Sequence, residues 1–371
     1  MKRPPIYIAL LVILLATARG ACGEDFDRGL FVSAIQDPQV LSSREAVKCL
    51  VEFASGARIS TIYIQVHYAN RSWFKSRIAD SAPYEGCVKS LREDPVEFLI
   101  GQSHAAGIKV YAWLNLLSLG GNKDAPLLAR YGPGILTRNI NRKCSLEDYK
   151  IDGQFFLEPG DERVRGAALG IVEEAVSAYP ELDGILLDYI RYPDKDPAYG
   201  HTESNVKRFK ETTGFNSTDE CDENWRKWKR DQVTGLLELA SGRARELHPG
   251  IGVSATGCMP YIRAYYEAFQ DWPSWLDRGI VDFVTVMSYS PYPDELERWL
   301  LHAKEKAPEF KKVRIGVGAY KLSGSCGIFR SELEISECSG AGGFAVFHYG
   351  SLLDDPALGD VLKEPCRAIE P

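Results

Sequence analysis

The sequence lacks the short motifs that mark several large enzyme classes. It has no CxxC pair or Cys/His cluster with zinc spacing, and no HExxH or HxH pattern of the kind found in metal-dependent hydrolases. The patterns GxSxG, GxGxxG and GxxxxGK(S/T) are also missing, which argues against an esterase, a dehydrogenase and a kinase. We therefore expect neither a metal ion nor a cofactor.

The sequence also has fewer basic than acidic residues, and it has no linker-like segments. The 51 Asp and Glu residues outnumber the 44 Lys and Arg residues, which gives a formal net charge of −7. An acidic chain of this kind argues against nucleic acid or an anionic membrane surface as the partner. Repeats, low-complexity tracts and linkers rich in Pro, Gly or Ser are absent, so a single domain is expected.

The longest apolar run is at the N-terminus. Residues 6–18 follow Lys2 and Arg3 and precede small residues, and the run is shorter than the roughly 20 residues that span a bilayer. This arrangement predicts a secretory signal peptide at 1–20, and hence a protein that is secreted or located in the periplasm or cell envelope. Cys22 ends a sequence similar to a bacterial lipobox, although Arg19 stands where Leu is usual, so a lipid anchor is the alternative.

Cysteine, in contrast, is well represented. An exported chain with nine Cys residues favours disulfide bonds. If Cys22 is lipidated or removed, eight residues remain that can pair completely, in a connectivity that their spacing does not reveal: Cys49, Cys87, Cys144, Cys221, Cys258, Cys326, Cys338 and Cys366.

Apolar and β-branched runs alternate with helical patterns along the chain, which predicts an α/β fold with a parallel sheet. Eight such runs favour a closed (β/α)₈ TIM barrel over an open sheet. We place this single barrel domain at 28–355, followed by a C-terminal tail at 356–371. Two connections, 118–159 after the third strand and 193–224 after the fourth, are long enough to be binding loops. The predicted strands are 29–35, 61–67, 109–116, 184–189, 252–256, 282–289, 313–320 and 343–349, and the predicted helices are 43–55, 94–106, 161–179, 225–247, 272–278 and 293–307.

The string DGILLDYIRYP at 183–193 is the most informative segment of the chain. Its three aliphatic residues read as a strand buried on both faces, and Asp188 follows where the strand would leave the barrel. A carboxylate at such a position must be paired or lie in a polar cavity. We predict that Asp188 is catalytic, while an ion pair with Arg191 is the structural alternative.

Polar and aromatic side chains occur at the ends of the other predicted strands. Aromatic rings can stack on sugar rings, and amide, guanidinium and imidazole groups can bind sugar hydroxyls, so a saccharide site is expected. For each aromatic residue, packing in the barrel core is the alternative. The predicted sugar-binding residues, at the open end of the barrel that we call the mouth, are His67, Trp113, Asn115, Arg191, Tyr192, Tyr289, Tyr320 and His348. Gln65, Ser254, Thr256 and Ser288 are also expected at the mouth.

Cleavage of a glycosidic bond generally needs two carboxyl groups. No other predicted strand ends in an acid, so the proton donor must come from a loop. The candidates are Glu158 in FFLEPGD and Asp271 in FQDWPSWL, ahead of Asp194 and Asp196 in a polar turn. Glu158 can equally belong to a helix start. The absence of a second acid at a strand end leaves a catalytically inactive glycan-binding barrel as the rival hypothesis.

Several ordered segments together resemble the glycosyl-hydrolase-like family 10 proteins, from about residue 28 to 353. They are RGLFV (28–32), TIYIQV (61–66), DPVEFLIGQSHAAGIKVYAWLN (94–115), FLEPGDERVR (156–165), DGILLDYIRYP (183–193), WRKWKRDQVTGLL (225–237) and QDWPSWLDRGIVDFVTVMSY (270–289). The resemblance implies a (β/α)₈ barrel that acts on a polysaccharide or oligosaccharide, with peptidoglycan or another cell-envelope glycan among the substrates. It favours Asp188 as the main acidic residue, whereas Glu158 stands where Asp is more usual.

Overall fold

The structure is a computed structural model that describes residues 26–141 and 143–364. The predicted signal peptide at 1–20, the anchor candidate Cys22 and Cys366 lie outside the described residues.

Eight parallel strands form a closed barrel, which confirms the predicted TIM-barrel fold. Adjacent strands pair in parallel around the ring, and the first strand closes it by pairing with both the second and the last. A two-residue strand, β3, adds to the edge of β2 in the antiparallel direction. The strands are β1 (Asp27–Val32), β2 (Thr61–Tyr68), β3 (Arg71–Ser72), β4 (Lys109–Asn115), β5 (Gly184–Asp188), β6 (Gly252–Cys258), β7 (Phe283–Met287), β8 (Val313–Val317) and β9 (Gly343–Val346).

Aromatic rings fill the inside of the barrel. Phe31 stacks on Tyr63 at a centroid distance of 4.9 Å and meets the edge of Trp113 at 5.1 Å. The glycines at the bottom of the neighbouring strands make this packing possible, because a Cβ atom at Gly184 or Gly252 would overlap the Tyr111 side chain. The interior below the mouth is therefore a packed core and not a pore.

Helices surround the barrel, and all six predicted helices are present. Asp94 and Asp161 accept hydrogen bonds from backbone N–H groups in the first turn of their helices and so act as N-caps. The sequence missed mostly short helices in the connections, together with the longer α11. The helices are α1 (Arg44–Gly56), α2 (Ala82–Leu91), α3 (Pro95–Ala105), α4 (Pro126–Tyr131), α5 (Glu162–Ala178), α6 (Glu203–Thr213), α7 (Glu223–Leu247), α8 (Tyr261–Tyr266), α9 (Trp272–Asp277), α10 (Pro293–Lys306), α11 (Cys326–Cys338), α12 (Tyr349–Asp354) and α13 (Pro356–Lys363).

The two long connections and the C-terminal segment contain more regular structure than the sequence indicated. Helix α4 lies in the connection after β4, and α6 lies in the connection after β5. The segment predicted to be a tail after residue 355 contains α13, whose Leu358 and Leu362 are fully buried. This segment packs on α11 and α12 and contributes to the core.

The described cysteines do not show the complete disulfide pairing that the sequence suggested. Six of them carry free thiols: Cys49, Cys87, Cys144, Cys221, Cys258 and Cys326. Within the described ranges, no helix has the length and apolar character of a membrane span. The same ranges contain no group of three or more His, Cys, Asp or Glu side chains arranged to hold a metal ion.

Candidate active site at the barrel mouth

Asp188 is the last residue of β5, at the carboxyl-terminal end of the barrel. It lies level with Asn115 of the neighbouring strand β4 in the sheet register. The backbone turns sharply after it, because Tyr189 adopts a left-handed conformation with φ of 57°. Non-glycine residues adopt this conformation uncommonly, and such strain clusters at functional sites.

Three donors hold the Asp188 carboxylate. The indole Nε1 of Trp113 donates to Oδ2 at 2.9 Å, and the hydroxyl of Thr256 and the backbone N–H of Tyr189 donate to Oδ1 at 2.5 and 2.7 Å. The side chain is only 4 % exposed. These contacts fix the orientation of the carboxylate. Oδ2 accepts one of them and has a second lone pair that can accept a further hydrogen bond.

A second carboxylate, Asp194, lies near the end of β6, where the Cys258 sulfur is 3.8 Å from its Oδ2. Arg191 donates to Asp194 at 2.9 Å, and Arg263 lies 3.2 Å from its other oxygen. Although burial acts to raise it, these two guanidinium groups hold the pKa of Asp194 below its ordinary value. The ion pair of Arg191 is thus with Asp194, and the described structure shows none between Arg191 and Asp188. The sequence had ranked Asp194 below Glu158 and Asp271 because its segment resembled a solvated turn.

Amide and imidazole groups form one side of the mouth. Gln65 Nε2 donates to Asn115 Oδ1 at 3.1 Å, and His67 Nδ1 lies 2.8 Å from the Asn115 carbonyl. Burial lowers the pKa of His67 to about 4, so the ring is neutral near pH 7. Its Nδ1 then carries the proton, and its buried Nε2 has no partner within the described structure. This nitrogen is a hydrogen-bond acceptor.

Aromatic rings form the opposite side of the mouth. Tyr289 contacts Tyr320 edge to face, with ring centroids 5.7 Å apart, and contacts Phe347 in a tilted arrangement at 5.4 Å. Tyr320 is 47 % exposed. His348 stacks on Phe347 at 5.1 Å, and its Nδ1 lies 2.7 Å from the Ser351 hydroxyl. The structure thus places Tyr289, Tyr320 and His348 around one aromatic cluster. Phe347 was missed in the sequence because it carries no polar group.

Two predicted sugar-binding aromatics are instead buried. Trp113 is 3 % exposed within the aromatic core of the barrel, and its N–H is used by Asp188. Tyr192 is fully buried, and its hydroxyl donates to Glu158 Oε1 at 2.5 Å. Neither ring can stack on a sugar in this arrangement, and the core-packing alternative holds for both.

Glu158 lies in a sealed polar cluster beneath the two long connections. It is fully buried, and Thr137 donates to its second oxygen at 3.0 Å. Burial raises the pKa of Glu158 to about 7 against the opposing effect of the hydrogen bonds from Tyr192 and Thr137. A proton donor must reach the leaving oxygen, and this carboxyl group faces protein on every side. Its position fits a structural clamp between the connections.

Asp271 lies in the connection between β6 and β7, beside α8. It accepts a hydrogen bond from the Tyr261 hydroxyl at 2.8 Å, immediately before α9. Tyr261 packs on Trp272 and on His302 of α10. The preceding residue, Gln270, bonds to the backbone at the end of β6. In the described structure Asp271 therefore bonds to Tyr261 and not to the groups that hold Asp188.

Comparison with known proteins identifies the family. A model of the family described as Glycosyl hydrolase-like 10 matches residues 28–325. The chain is 26 % identical over 258 residues to the glycosyl hydrolase DigH of Escherichia coli (strain K12), an alignment that covers 62 % of this chain and 54 % of that protein. It is 21 % identical over 252 residues to the glycosyl hydrolase YngK of Bacillus subtilis (strain 168), covering 62 % and 46 %. The chain thus spans about half the length of these curated relatives.

Solved glycosidase structures share the fold. The superposition on α-L-fucosidase isoenzyme 2 from Paenibacillus thiaminolyticus covers 91 % of this chain and 48 % of the fucosidase, with a TM-score of 0.63 and 16 % sequence identity. The superposition on the catalytic domain of a β-amylase from Paenibacillus polymyxa covers 93 % of this chain and 96 % of the β-amylase domain, with a TM-score of 0.58 and 13 % sequence identity. At such low identity these matches concern the barrel alone. Because the family model matches most of the chain, this chain belongs to the glycosyl hydrolase-like 10 family.

Proposed function

We propose that this protein is an exported glycoside hydrolase that cleaves O-glycosidic bonds of a polysaccharide or cell-envelope glycan. The observation that carries this proposal is the Asp188 carboxylate, held by three donors at the end of a central barrel strand. Family membership and the glycosidase barrels agree with carbohydrate chemistry. Barrel enzymes carry their reactive groups at this end of the strands.

The sugar is proposed to bind between the two sides of the mouth described above. Tyr289 and Tyr320 offer ring faces against which a pyranose can pack. On the other side, His67 Nε2 is an acceptor without a partner in the described structure, but it is buried, so it would bind a sugar hydroxyl only after the mouth opens. Arg191, whose guanidinium lies 4.7 Å from the centroid of the Tyr189 ring, supplies donors next to Asp188. Asn115 fixes His67 through its carbonyl.

We propose Asp188 as the nucleophile or base of the reaction, because both of its oxygens accept hydrogen bonds that hold the carboxylate in place. The sequence predicts the same role. The proton donor is proposed to be Glu158 or Asp271, as the sequence predicts, or Asp194. In the structure Glu158 is fully buried, Asp271 accepts from Tyr261 of α8, and Asp194 pairs with two arginines.

Leaving-group dependence identifies the proton donor. Removing a proton donor slows cleavage of a natural glycan far more than cleavage of an aryl glycoside, whose leaving group needs little protonation. The amide variants Asp188→Asn, Asp194→Asn, Glu158→Gln and Asp271→Asn are compared on both substrates. We expect this selective loss in the variant of the proton donor, whereas Asp188→Asn should lose cleavage of both substrates. A selective loss in Asp188→Asn itself would make Asp188 the donor and contradict its proposed role.

Activity itself is tested by measuring reducing ends released from cell-wall and plant polysaccharides. We expect Asp188→Asn to abolish release while its binding of a susceptible glycan persists. Asp231→Asn is the matched control, because Asp231 forms an exposed i,i+4 pair with Lys227 on α7 and its loss should change little. Full turnover by Asp188→Asn would remove this residue from the mechanism.

A glycan-binding barrel without hydrolysis is the second candidate. The observation that favours it is that Asp194 is already neutralised by two arginines, which leaves Asp188 as the mouth carboxylate without such pairing. In that case the wild-type protein binds a glycan in the same screen but releases no reducing ends from it.

Export is proposed from residues 1–20, with a lipid anchor at Cys22 as the alternative. Expression of the full chain in a bacterial host, followed by fractionation, tests both. Secretion predicts soluble mature protein outside the cytoplasm. Anchoring predicts membrane-bound protein that Cys22→Ser releases. Retention of the intact chain in the cytoplasm would contradict export.

A further inference from the structure

The two long connections form a second groove, separate from the residues that hold Asp188. One cavity of about 440 Å³ lies between the connection after β4 and the start of α6, and a second of about 610 Å³ continues along α6. Arg138 and Glu203 line both cavities, so the two form one continuous feature, which we call the loop groove. The other lining side chains used below are Lys143, Tyr149 and Arg163 of the first cavity, and Ile140, Lys207, Lys210 and Glu211 of the second.

The loop groove is rich in positive charge, in contrast to the acidic chain as a whole. Some of its cations are neutralised: Arg163 bonds to Asp161 at 2.7 Å, and Lys207 lies 3.7 Å from Glu211. Arg138, Lys143 and Lys210 form no ion pair with any acid among the described residues. Among the lining acids, Glu211 is paired with Lys207, so Glu203 is the one that remains to offset these three cations. An excess of positive charge therefore faces the groove.

The walls between these charges are partly apolar. Tyr149 is half-buried in the first cavity, and Ile140 is 72 % exposed in the second. Ring and alkyl surface flanked by separated cations suits a sugar chain whose rings carry carboxylates, because the rings pack on apolar surface while the cations bind the acid groups. A neutral glycan would leave the cations without partners.

A continuous set of hydrogen bonds connects the loop groove to the barrel mouth. Thr137, next to Arg138, donates to Glu158, and Glu158 in turn accepts from Tyr192. Tyr192 is in the segment that carries Asp188 and Arg191. The groove and the mouth are therefore built on the same pair of connections, at the same end of the barrel.

We propose that the loop groove binds a carboxylate-bearing polysaccharide, through Arg138, Lys143 and Lys210. This site deepens the proposed function, on which it rests for the choice of a glycan as ligand. It would hold an acidic polymer on the catalytic face of the barrel, at residues distinct from those that contact Asp188.

Binding of polygalacturonate, compared with the same polymer after reduction of its carboxyl groups, tests the proposal. With the full-length wild-type protein we expect measurable affinity for the acidic polymer, weaker affinity in high salt because exposed charges are screened, and at least tenfold weaker affinity for the reduced polymer. The variant Arg138→Gln/Lys143→Gln/Lys210→Gln should lose roughly tenfold or more in affinity for polygalacturonate.

The control is Lys48→Gln/Lys89→Gln, which removes exposed lysines from α1 and α2, and thermal unfolding confirms that each variant is folded. Equal binding of the acidic and reduced polymers, or unchanged binding by the triple variant, would overturn the proposal. Asp188→Asn should bind polygalacturonate like the wild type. Loss of binding in that variant would place the polymer in the mouth and also overturn it. None of these outcomes depends on the reducing-end assay, so the two proposals fail separately.

Discussion

The hydroxyl of Tyr192 donates a 2.5 Å hydrogen bond to Glu158, and both side chains are fully buried. This contact ties the segment after β5, which carries the catalytic candidate Asp188, to the connection after β4. Asn205 of α6 lies 3.4 Å from the same hydroxyl and accepts from Trp228 of α7. The geometry of the barrel mouth thus depends on a polar cluster that a substrate never touches.

Loss of the Tyr192 hydroxyl should destabilise the protein. We expect Tyr192→Phe to lower the free energy of unfolding by about 1–3 kcal/mol, because it leaves a buried carboxyl oxygen without its principal donor. Urea denaturation measures this change. Tyr320→Phe, at a ring that is 47 % exposed, is the control and should be near neutral. Equal stability of the two variants would show that the cluster does not hold the connections.

The indole N–H of Trp113 should matter for turnover. A hydrogen bond to a charged group contributes about 1.5–3 kcal/mol, so Trp113→Phe should reduce glycan hydrolysis roughly tenfold or more. The Phe ring keeps much of the apolar packing in the barrel core. Steady-state kinetics alongside thermal unfolding separates the two effects. A variant with normal turnover would mean that the orientation of Asp188 does not depend on this donor.

Asp271 should tolerate replacement if its role is to hold Tyr261 of α8. In Asp271→Asn the amide oxygen can still accept the Tyr261 hydrogen bond, so hydrolysis should stay within about twofold of wild type, a change of about 0.5 kcal/mol or less. Reducing-end release measures this. A large loss of turnover in a folded variant would instead support its sequence-based assignment as proton donor.

Glu332 should make stability depend on pH. This residue of α11 is fully buried, and neither carboxyl oxygen has a hydrogen-bond partner within the described structure. Burial raises its pKa from 4.5 to about 8. Between these values the unfolded chain can ionise the group while the folded protein keeps it neutral. Stability from this group is therefore fully present below about pH 4.5 and is lost as pH rises through about 8.

The variant Glu332→Gln removes this titration. Its free energy of unfolding, measured by urea denaturation, should exceed that of the wild type at pH 8–9 and approach it near pH 4.5, with a difference on the order of a few kcal/mol at high pH. Glu334→Gln, on the same helix but partly exposed, is the control. Parallel pH curves for wild type and Glu332→Gln would contradict the raised pKa.

The sequence by itself determined the barrel and the position of its main carboxylate. Unbroken apolar runs such as Ile185, Leu186 and Leu187 mark buried parallel strands, and period and capping signals such as Asp94 mark the helices between them. Because these signals are local, they are readable without contacts. They place Asp188 at a strand end, and the closed ring of strands then makes that end the mouth.

Only the tertiary structure decided which side chains meet there. In sequence, Glu158 and Asp271 were both candidate catalytic acids, but Glu158 is fully buried and Asp271 bonds to Tyr261 of α8. Asp194 resembled a solvated turn residue, yet it forms ion pairs with Arg191 and Arg263. Burial, ion pairing and side-chain direction result from contacts between residues distant in sequence. The strand pattern therefore determined where the mouth lies, and packing determined which groups share it.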